Sequence, residues 1–570
     1  MLRTRTWWGR APLPRTRQVS LWPSLGLRTS QAEAGDGLRI LPKSTQDQGA
    51  ASSARRLSLL FARRVLLAGL SSPSLYGFVP PRYSARIAVP LLPPLASDPL
   101  RRVRADFGVE RAARAREGVP PGPTQPSARR TYGWVRNALP IMLEAYREYG
   151  PVFTIRIMHG LWVFMLGPEA NHFVTVSHAH NFRWRDGAMG ELIPLVGDGL
   201  LTTDGETHRR ARRTMNPAFH QRQIAVAGEA MVEETERALE DWRPGTNLDL
   251  YDWTRALALR IALRALFGMR SVNADERRAA ADFERALSFY RRDLVVQALR
   301  GPGSPWAGLH NSRARLDTLV YREIGRRRTS GERGNDVLSL LLDARDDGGV
   351  GFTDRELRDH VMTLLFAGHD TTTSTVSFLF YELSCHPDAL DRLYSEVNAV
   401  LGNRRPTPAE LTSELPELQM AIDETLRLFP AAWTGPRRAV EDFEFGGHRV
   451  AAGLPVHYSS WASHHLPEVF PQPEAFRPER MAPEAKKNLP KGAYVPFGGG
   501  SRTCIGMRFG LLEVATIATM ILQRFRLDVE PGYELGTRQM PTLSPREGMP
   551  MSVKSRASII RTELRAGVRR

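Results

Sequence analysis

One segment, Phe497-Gly498-Gly499-Gly500-Ser501-Arg502-Thr503-Cys504-Ile505-Gly506, constrains this chain more than any other. Three successive glycines near a cysteine make a loop whose backbone approaches a flat partner closely, because no Cβ stands in the way. A thiolate in such a loop accepts backbone N–H hydrogen bonds, which tune a bound metal. Met507 to Phe525 then reads as an apolar helix in which only Arg508, Glu513, Gln523 and Arg524 are charged or amide-bearing. Its positive N-terminal end favours a thiolate at Cys504. The fold must therefore set this loop at the mouth of a buried helix.

The rest of the pattern is mostly helical. Residues 206 to 400 carry helical periodicity, whereas Val152-Phe153-Thr154-Ile155-Arg156-Ile157 alternates like a strand, and the chain after Arg437 turns short, strand-like and loop-rich. The fold class expected is mainly α with a small β subdomain. Thr353-Asp354-Arg355-Glu356 forms a capping box that opens a long apolar helix, stopped at Cys385 by His386-Pro387. In its middle stands Ala367-Gly368-His369-Asp370-Thr371-Thr372-Thr373. Glycine and several threonines cost some tenths to about 1 kcal/mol each in a helix interior. Threonine hydroxyls that divert backbone hydrogen bonds open a helix locally, and an adjacent carboxylate supplies protons.

Residues 1–115 are rich in Arg, Ser, Pro and Ala and show no sustained periodicity, so they are expected to be an unstructured N-terminal extension. The first 32 residues hold six arginines and no acid, resembling a mitochondrial transit peptide; a start codon placed too far upstream in a GC-rich frame is the preferred reading. Order is expected from the proline-rich entry at Val119–Pro123, giving a body over 116–556 and a basic tail over 557–570. The formal charge of +17 invites a nucleic-acid partner. However, residues 1–130 hold 22 basic and 7 acidic groups, and the remaining 440 residues hold 56 and 54, a net of only +2. No nucleic-acid partner is expected. The strongest apolar run, Leu57 to Leu70, is broken by Arg63 and Arg64, so no membrane span is expected either. The two cysteines, Cys385 and Cys504, are 119 positions apart. A chain this large needs no disulfide staple, which places it in a reducing compartment, the cytoplasm, with Cys385 an inert buried thiol.

The loop matches F-x-x-G-x-R-x-C-x-G at every fixed position and resembles the haem-binding signature of the cytochrome P-450 family. The resemblance spans about residues 120–555. It implies the cytochrome P-450 fold around one haem b, with Cys504 as the axial iron ligand and Arg502 on a haem propionate. The central helix resembles the family's A-G-x-D/E-T motif, which implies that Thr371 assists oxygen activation while Asp370 relays protons from solvent. Glu424-Thr425-Leu426-Arg427 resembles E-x-x-R, and Phe476-Arg477-Pro478-Glu479-Arg480-Met481 resembles the P-E-R-F segment with Met481 in place of its final Phe. Together they imply a structural Glu424-Arg427-Arg480 network. His208-Arg209-Arg210-Ala211-Arg212 resembles W-x-x-x-R with His208 in place of Trp, which implies that His208 and Arg212 bind haem propionates. Arg437 is the further propionate ligand implied, with adjacent Arg438 leaving the register open. Phe366, Ala367, Ala432 and Trp433 fall where the family flanks the distal face.

The activity implied is insertion of one atom of dioxygen into a lipophilic substrate such as a fatty acid, terpenoid or sterol. The chain holds no dinucleotide fingerprint and no cysteine cluster, so electrons from NAD(P)H are expected through a ferredoxin or flavodoxin and its reductase, docking near Arg209 and Arg210. A haem-thiolate peroxygenase or isomerase would use the same Cys504 without external electrons, but such relatives typically lack the acid-threonine pair. A haem sensor is the rival from another class.

Overall fold

A computed structural model describes residues 94–556 apart from 96, 270–273, 293 and 298, so the expectations for residues 1–93 and for the 557–570 tail lie outside the described residues. The elements that position the site run in this order: α1 (Pro99–Ala115), α2 (Ala128–Arg136), β1 (Val152–Ile157), β2 (Gly160–Met165), β3 (Phe182–Arg183), α3 (Gly205–Met215), α4 (Gln221–Leu239), β4 (Asn247–Asp249), α5 (Leu250–Phe267) and α6 (Ala274–Ser288). They continue with α7 (Pro305–Ser330), α8 (Asp354–Cys385), α9 (Pro416–Leu428), β5 (Gly435–Ala439), β6 (Pro455–Tyr458), α10 (Met507–Arg524), β7 (Phe525–Val529) and β8 (Pro550–Ser555).

α8 is the axis of the helical part. Its capping box forms as the sequence requires: the Glu356 N–H donates to Thr353 Oγ1 at 3.2 Å and the Thr353 N–H to Glu356 Oε2 at 2.9 Å. It runs unbroken to Cys385. The hydroxyls of Thr371, Thr373, Thr375 and Ser377 donate to the carbonyls four residues back rather than opening the helix. Buried Val376, Phe378, Leu379 and Phe380 then join Leu512, Val514, Ala515 and Ile517 of α10 in one apolar core. A second core joins Val361, Met362 and Leu365 to α5, α6 and α7.

The β part is small. One sheet has the order β1-β2-β6-β5-β3, antiparallel except for the β2–β6 pair, and its register sets Arg437 opposite Val456. A second, β4-β8-β7, joins residues 247–249 to residues 550–552. The structure thus has the mainly α fold with small sheets that the sequence implies.

Order does not begin at residue 116. α1 is a helix of 17 residues, entered through Asp98, whose carboxylate caps the Arg101 N–H, and Pro99. Buried Ala113 and partly buried Val109 pack on the core of the larger sheet, and polar contacts hold the rest of the helix to the body. Asp106 takes a 2.8 Å bond from Arg438 and lies 3.1 Å from His159, and Glu110 pairs with Arg156. Burial alone would raise the Asp106 pKa, yet the His159 hydrogen bond and the Arg102 and Arg438 charges hold it well below the usual carboxylate range.

Candidate active site

The loop before α10 closes on itself: the Cys504 N–H donates to the Phe497 carbonyl at 2.9 Å. Gly498 and Gly500 have φ of +71° and +60°, and a Cβ on Gly500 would stand 2.1 Å from the Thr175 carbonyl oxygen. Glycine is therefore required there by both conformation and space. Burial pushes the Cys504 thiol up, while the Gly506 N–H and the Arg212 charge pull it down. The side chain nonetheless has accessible surface, and a Cβ added at Gly506 or Gly510 would meet nothing within 4 Å. The sulfur therefore borders an open space at the start of a buried helix.

α8 presents a wall of the same character. Leu364, Ala367, Gly368 and Thr371 are partly accessible whereas His369, Asp370, Thr372, Thr373 and Ser374 are buried. These four positions fall on one helical face, while Phe366, also partly accessible, lies on the other side against the second core. A Cβ on Gly368 would meet nothing within 4 Å. Thr372 ties α8 to α10 by donating to Glu513 Oε2 at 2.9 Å, and burial pushes Glu513 up to about 8.

Asp370 and Thr371, adjacent in sequence, face different surroundings. Thr371 is on the accessible face; Asp370 is buried and ion-paired with Arg255 of α5, with Arg291 at 3.8 Å. Arg255 also holds Glu284 of α6 at 2.8 Å, and His369 stands between the carboxylates, 3.0 Å from Glu284 and 3.4 Å from Asp370. Asp370 thus reaches the exterior only through a partner network whose outermost member, Glu284, keeps 34% of its side-chain exposure.

The basic residues converge at another edge. His208 is buried on α3 and pushed down to about 3 by burial and by the charges of Arg502 and Arg212, so it is neutral with one N–H to give. Arg212 lies close enough to Cys504 for each to shift the other's pKa. Arg437 is 2% exposed, with its guanidinium 3.6 Å above the Trp184 ring, and Arg502 sits 5.0 Å from the same ring. Arg502 donates to Asp204 and to the Thr203 carbonyl, both at 2.7 Å. Arg438 points the other way, to the Gly453 carbonyl and Asp106. Arg212, Arg437 and Arg502 with His208, near a thiol in a glycine loop and an open space, fit a flat metal chelate with anionic arms.

The buried Glu424 takes a bond from Arg427 at 2.8 Å, lies 2.9 Å from Arg480 Nε and caps the Arg477 N–H at 3.0 Å, so the three-residue network is assembled. Arg210 is paired with Asp346 and Glu356, and Arg209 makes an exposed pair with Glu206. Other expectations fail. Cys385 is exposed, because the helix ends there at the surface. Trp433 is packed in the core with its indole N–H on the Gln539 carbonyl at 2.7 Å, and Ala432 beside it is the exposed residue.

The cytochrome P-450 family model matches residues 120–549. The chain belongs to the cytochrome P-450 family. Among its relatives, the cyclooctat-9-en-7-ol 5-monooxygenase of Streptomyces melanosporofaciens is 38% identical over 62% of this chain and 77% of its own. A mycobacterial cytochrome P-450 139, from Mycobacterium tuberculosis, is 30% identical over 73% of this chain and 97% of its own. Among solved structures, the retinoic acid-bound cyanobacterial CYP120A1 superposes with a TM-score of 0.70 at 27% identity, covering 77% of this chain and 99% of that one. The protein is therefore a cytochrome P-450 monooxygenase, a haem enzyme. Sequence reading of this cytochrome P-450 missed Trp184, Asp204, Arg255, Glu284 and Glu513. None of them stands in a motif, and Arg255 meets Asp370 across 115 positions of sequence, which no local pattern reveals.

Proposed function

We propose that this cytochrome P-450 inserts one oxygen atom of dioxygen into a lipophilic, terpenoid-like substrate, with electrons passed from NAD(P)H through a separate ferredoxin or flavodoxin. One observation carries the reading: the accessible face of α8 offers Leu364, Ala367 and Gly368 with Thr371 as its hydroxyl-bearing member, a wall suited to an apolar molecule with one polar point. The names of two relatives agree with that class, since one acts on cyclooctat-9-en-7-ol and another binds retinoic acid.

Cys504 would hold the haem iron through its sulfur, and His208, Arg212, Arg437 and Arg502 would hold the propionates. When bound, the haem supplies the reductive activation of dioxygen. Thr371 would offer its hydroxyl, which now donates to the Ala367 carbonyl at 2.8 Å, as a hydrogen-bonding group on the accessible face of α8. Asp370 would take protons that enter by way of Glu284 and His369, with Arg255 holding both carboxylates in place, and hold them one residue away from Thr371. The apolar wall excludes bulk water.

Two measurements test this. The reduced protein with carbon monoxide should give a strongly red-shifted Soret band that vanishes in Cys504→Ser; an unshifted band in the wild type would remove the thiolate reading. Titration with cyclooctat-9-en-7-ol, retinoic acid and a saturated fatty acid should give saturable Soret shifts with the first two. A shift with the fatty acid alone would reject the terpenoid class.

A further inference from the structure

Two helices and the turn between two strands build a surface that nothing in the body covers. On α1, Arg104, Phe107 and Arg111 stand at i, i+3 and i+7 and are all exposed, while Asp106 and Glu110 of the same helix are paired inward. On α2, Tyr132 and Val135 are 66% and 49% exposed, flanked by exposed Arg129 and Arg136. Between the helices the β1–β2 turn holds out Met158, an apolar residue kept at a φ of +51°. These pieces are continuous. The Phe107 ring is 6.4 Å from that of His159, and the Met158 N–H donates to Thr131 Oγ1 at 3.2 Å.

Scattered exposed apolar residues are ordinary on a surface. Here they are interleaved with arginines, and among the described residues no carboxylate pairs with Arg104, Arg111, Arg129 or Arg136. We infer that this face docks on an anionic lipid surface, with Phe107, Tyr132, Val135 and Met158 entering the interface and the arginines meeting the headgroups. Aromatic and apolar side chains among arginines are what the boundary between headgroups and acyl chains accepts. Residues 1–93 would not neutralise the arginines, since they carry 14 basic and 3 acidic groups themselves. No helix among the described residues is long and apolar enough to cross a membrane, so the contact is peripheral. α1 lies before the family-matched span of residues 120–549.

The test is co-sedimentation of the haem-loaded, full-length protein with vesicles of phosphatidylcholine alone and of phosphatidylcholine with phosphatidylglycerol. Binding should require phosphatidylglycerol and disappear at high salt. It should fall about tenfold in Arg104→Gln/Arg111→Gln and by a similar factor in Phe107→Ser/Val135→Ser, with unchanged carbon monoxide spectra and melting temperatures. Equal binding to both vesicle types would overturn the inference. So would wild-type binding by either variant, which would assign the contact to residues 1–93. Binding to soluble polyglutamate as tight as to vesicles would replace the lipid by an acidic protein partner.

Discussion

Replacing Glu424 by Gln should destabilise the protein more than replacing Arg427 by Met, although the two residues form one ion pair. Both are fully buried, with Arg427 Nε and Nη2 at 2.8 and 2.9 Å from the two carboxylate oxygens. Losing the carboxylate strands two cations: Arg427 keeps only the carbonyls of His464 and Ala475, at 3.0 and 3.2 Å, and Arg480 loses its anion. Leaving a buried charge without its partner costs about 3–5 kcal/mol. Arg427→Met instead leaves Glu424 with Arg480 at 2.9 Å and the Arg477 N–H at 3.0 Å, so its cost is the lower, about 2 kcal/mol. At a urea m-value of about 3 kcal/mol/M, Glu424→Gln should lower the midpoint by roughly 1 M or more and Arg427→Met by about half as much. The assay is urea unfolding of the haem-loaded protein followed by far-UV circular dichroism. Equal shifts, or a larger one for Arg427→Met, would refute the claim that Glu424 neutralises both arginines.

Trp184→Leu should speed haem transfer to an apoprotein acceptor about tenfold, because the indole is shared by Arg437 at 3.6 Å and Arg502 at 5.0 Å; an unchanged rate would separate the ring from haem retention. Glu513 is held up at about 8 by burial, so its neutral form favours folding below the unfolded value of 4.5, and that contribution is lost as pH rises through 8. Glu513→Gln should therefore flatten the decline of stability between pH 5 and 8, by at most about 5 kcal/mol, in unfolding curves taken across that range. His457 has the opposite sign: burial and the Arg437 charge hold it down at about 3, so stability falls as pH drops from 6.5. His457→Asn should remove about one proton of uptake on unfolding, measured by calorimetry in buffers of different ionisation enthalpy. Gly500→Ala should displace the ligand loop, since its Cβ would stand 2.1 Å from the Thr175 carbonyl oxygen; a normal haem content would contradict that.

Features written in a few adjacent residues were legible from the sequence. The glycine loop, the capping box at Thr353 and the strand of residues 152–157 each state their own geometry. α1 was not legible, because its inward contacts besides Val109 and Ala113 are polar, and the partners of Asp106 and Glu110, Arg438 and Arg156, are 332 and 46 positions away. An arginine-rich helix with so short an apolar stripe looks like a solvated coil until those partners are known. The direction of Asp370 was hidden for the same reason. A motif says that an acid precedes Thr371, but only the packing of α5 against α8 turns that acid toward Arg255. Cys385 and Trp433 show the converse: their residue types suggested a buried thiol and a pocket wall, and helix length and the Gln539 carbonyl decided otherwise.

The β4-β8-β7 sheet carries a consequence for making this protein. Its closing contact, the Met549 N–H on the Asp249 carboxylate, joins positions 300 residues apart. Until that contact forms, residues 247–249 and the facing edge of residues 550–552 are unpaired strand edges, although 551–555 already pair locally with 525–529. Long-range closure is slow, and exposed edges invite self-association in the meantime. Yield of soluble enzyme should therefore respond to how crowded and how warm the cell is while the chain is being completed, quite apart from how much haem the cell can offer.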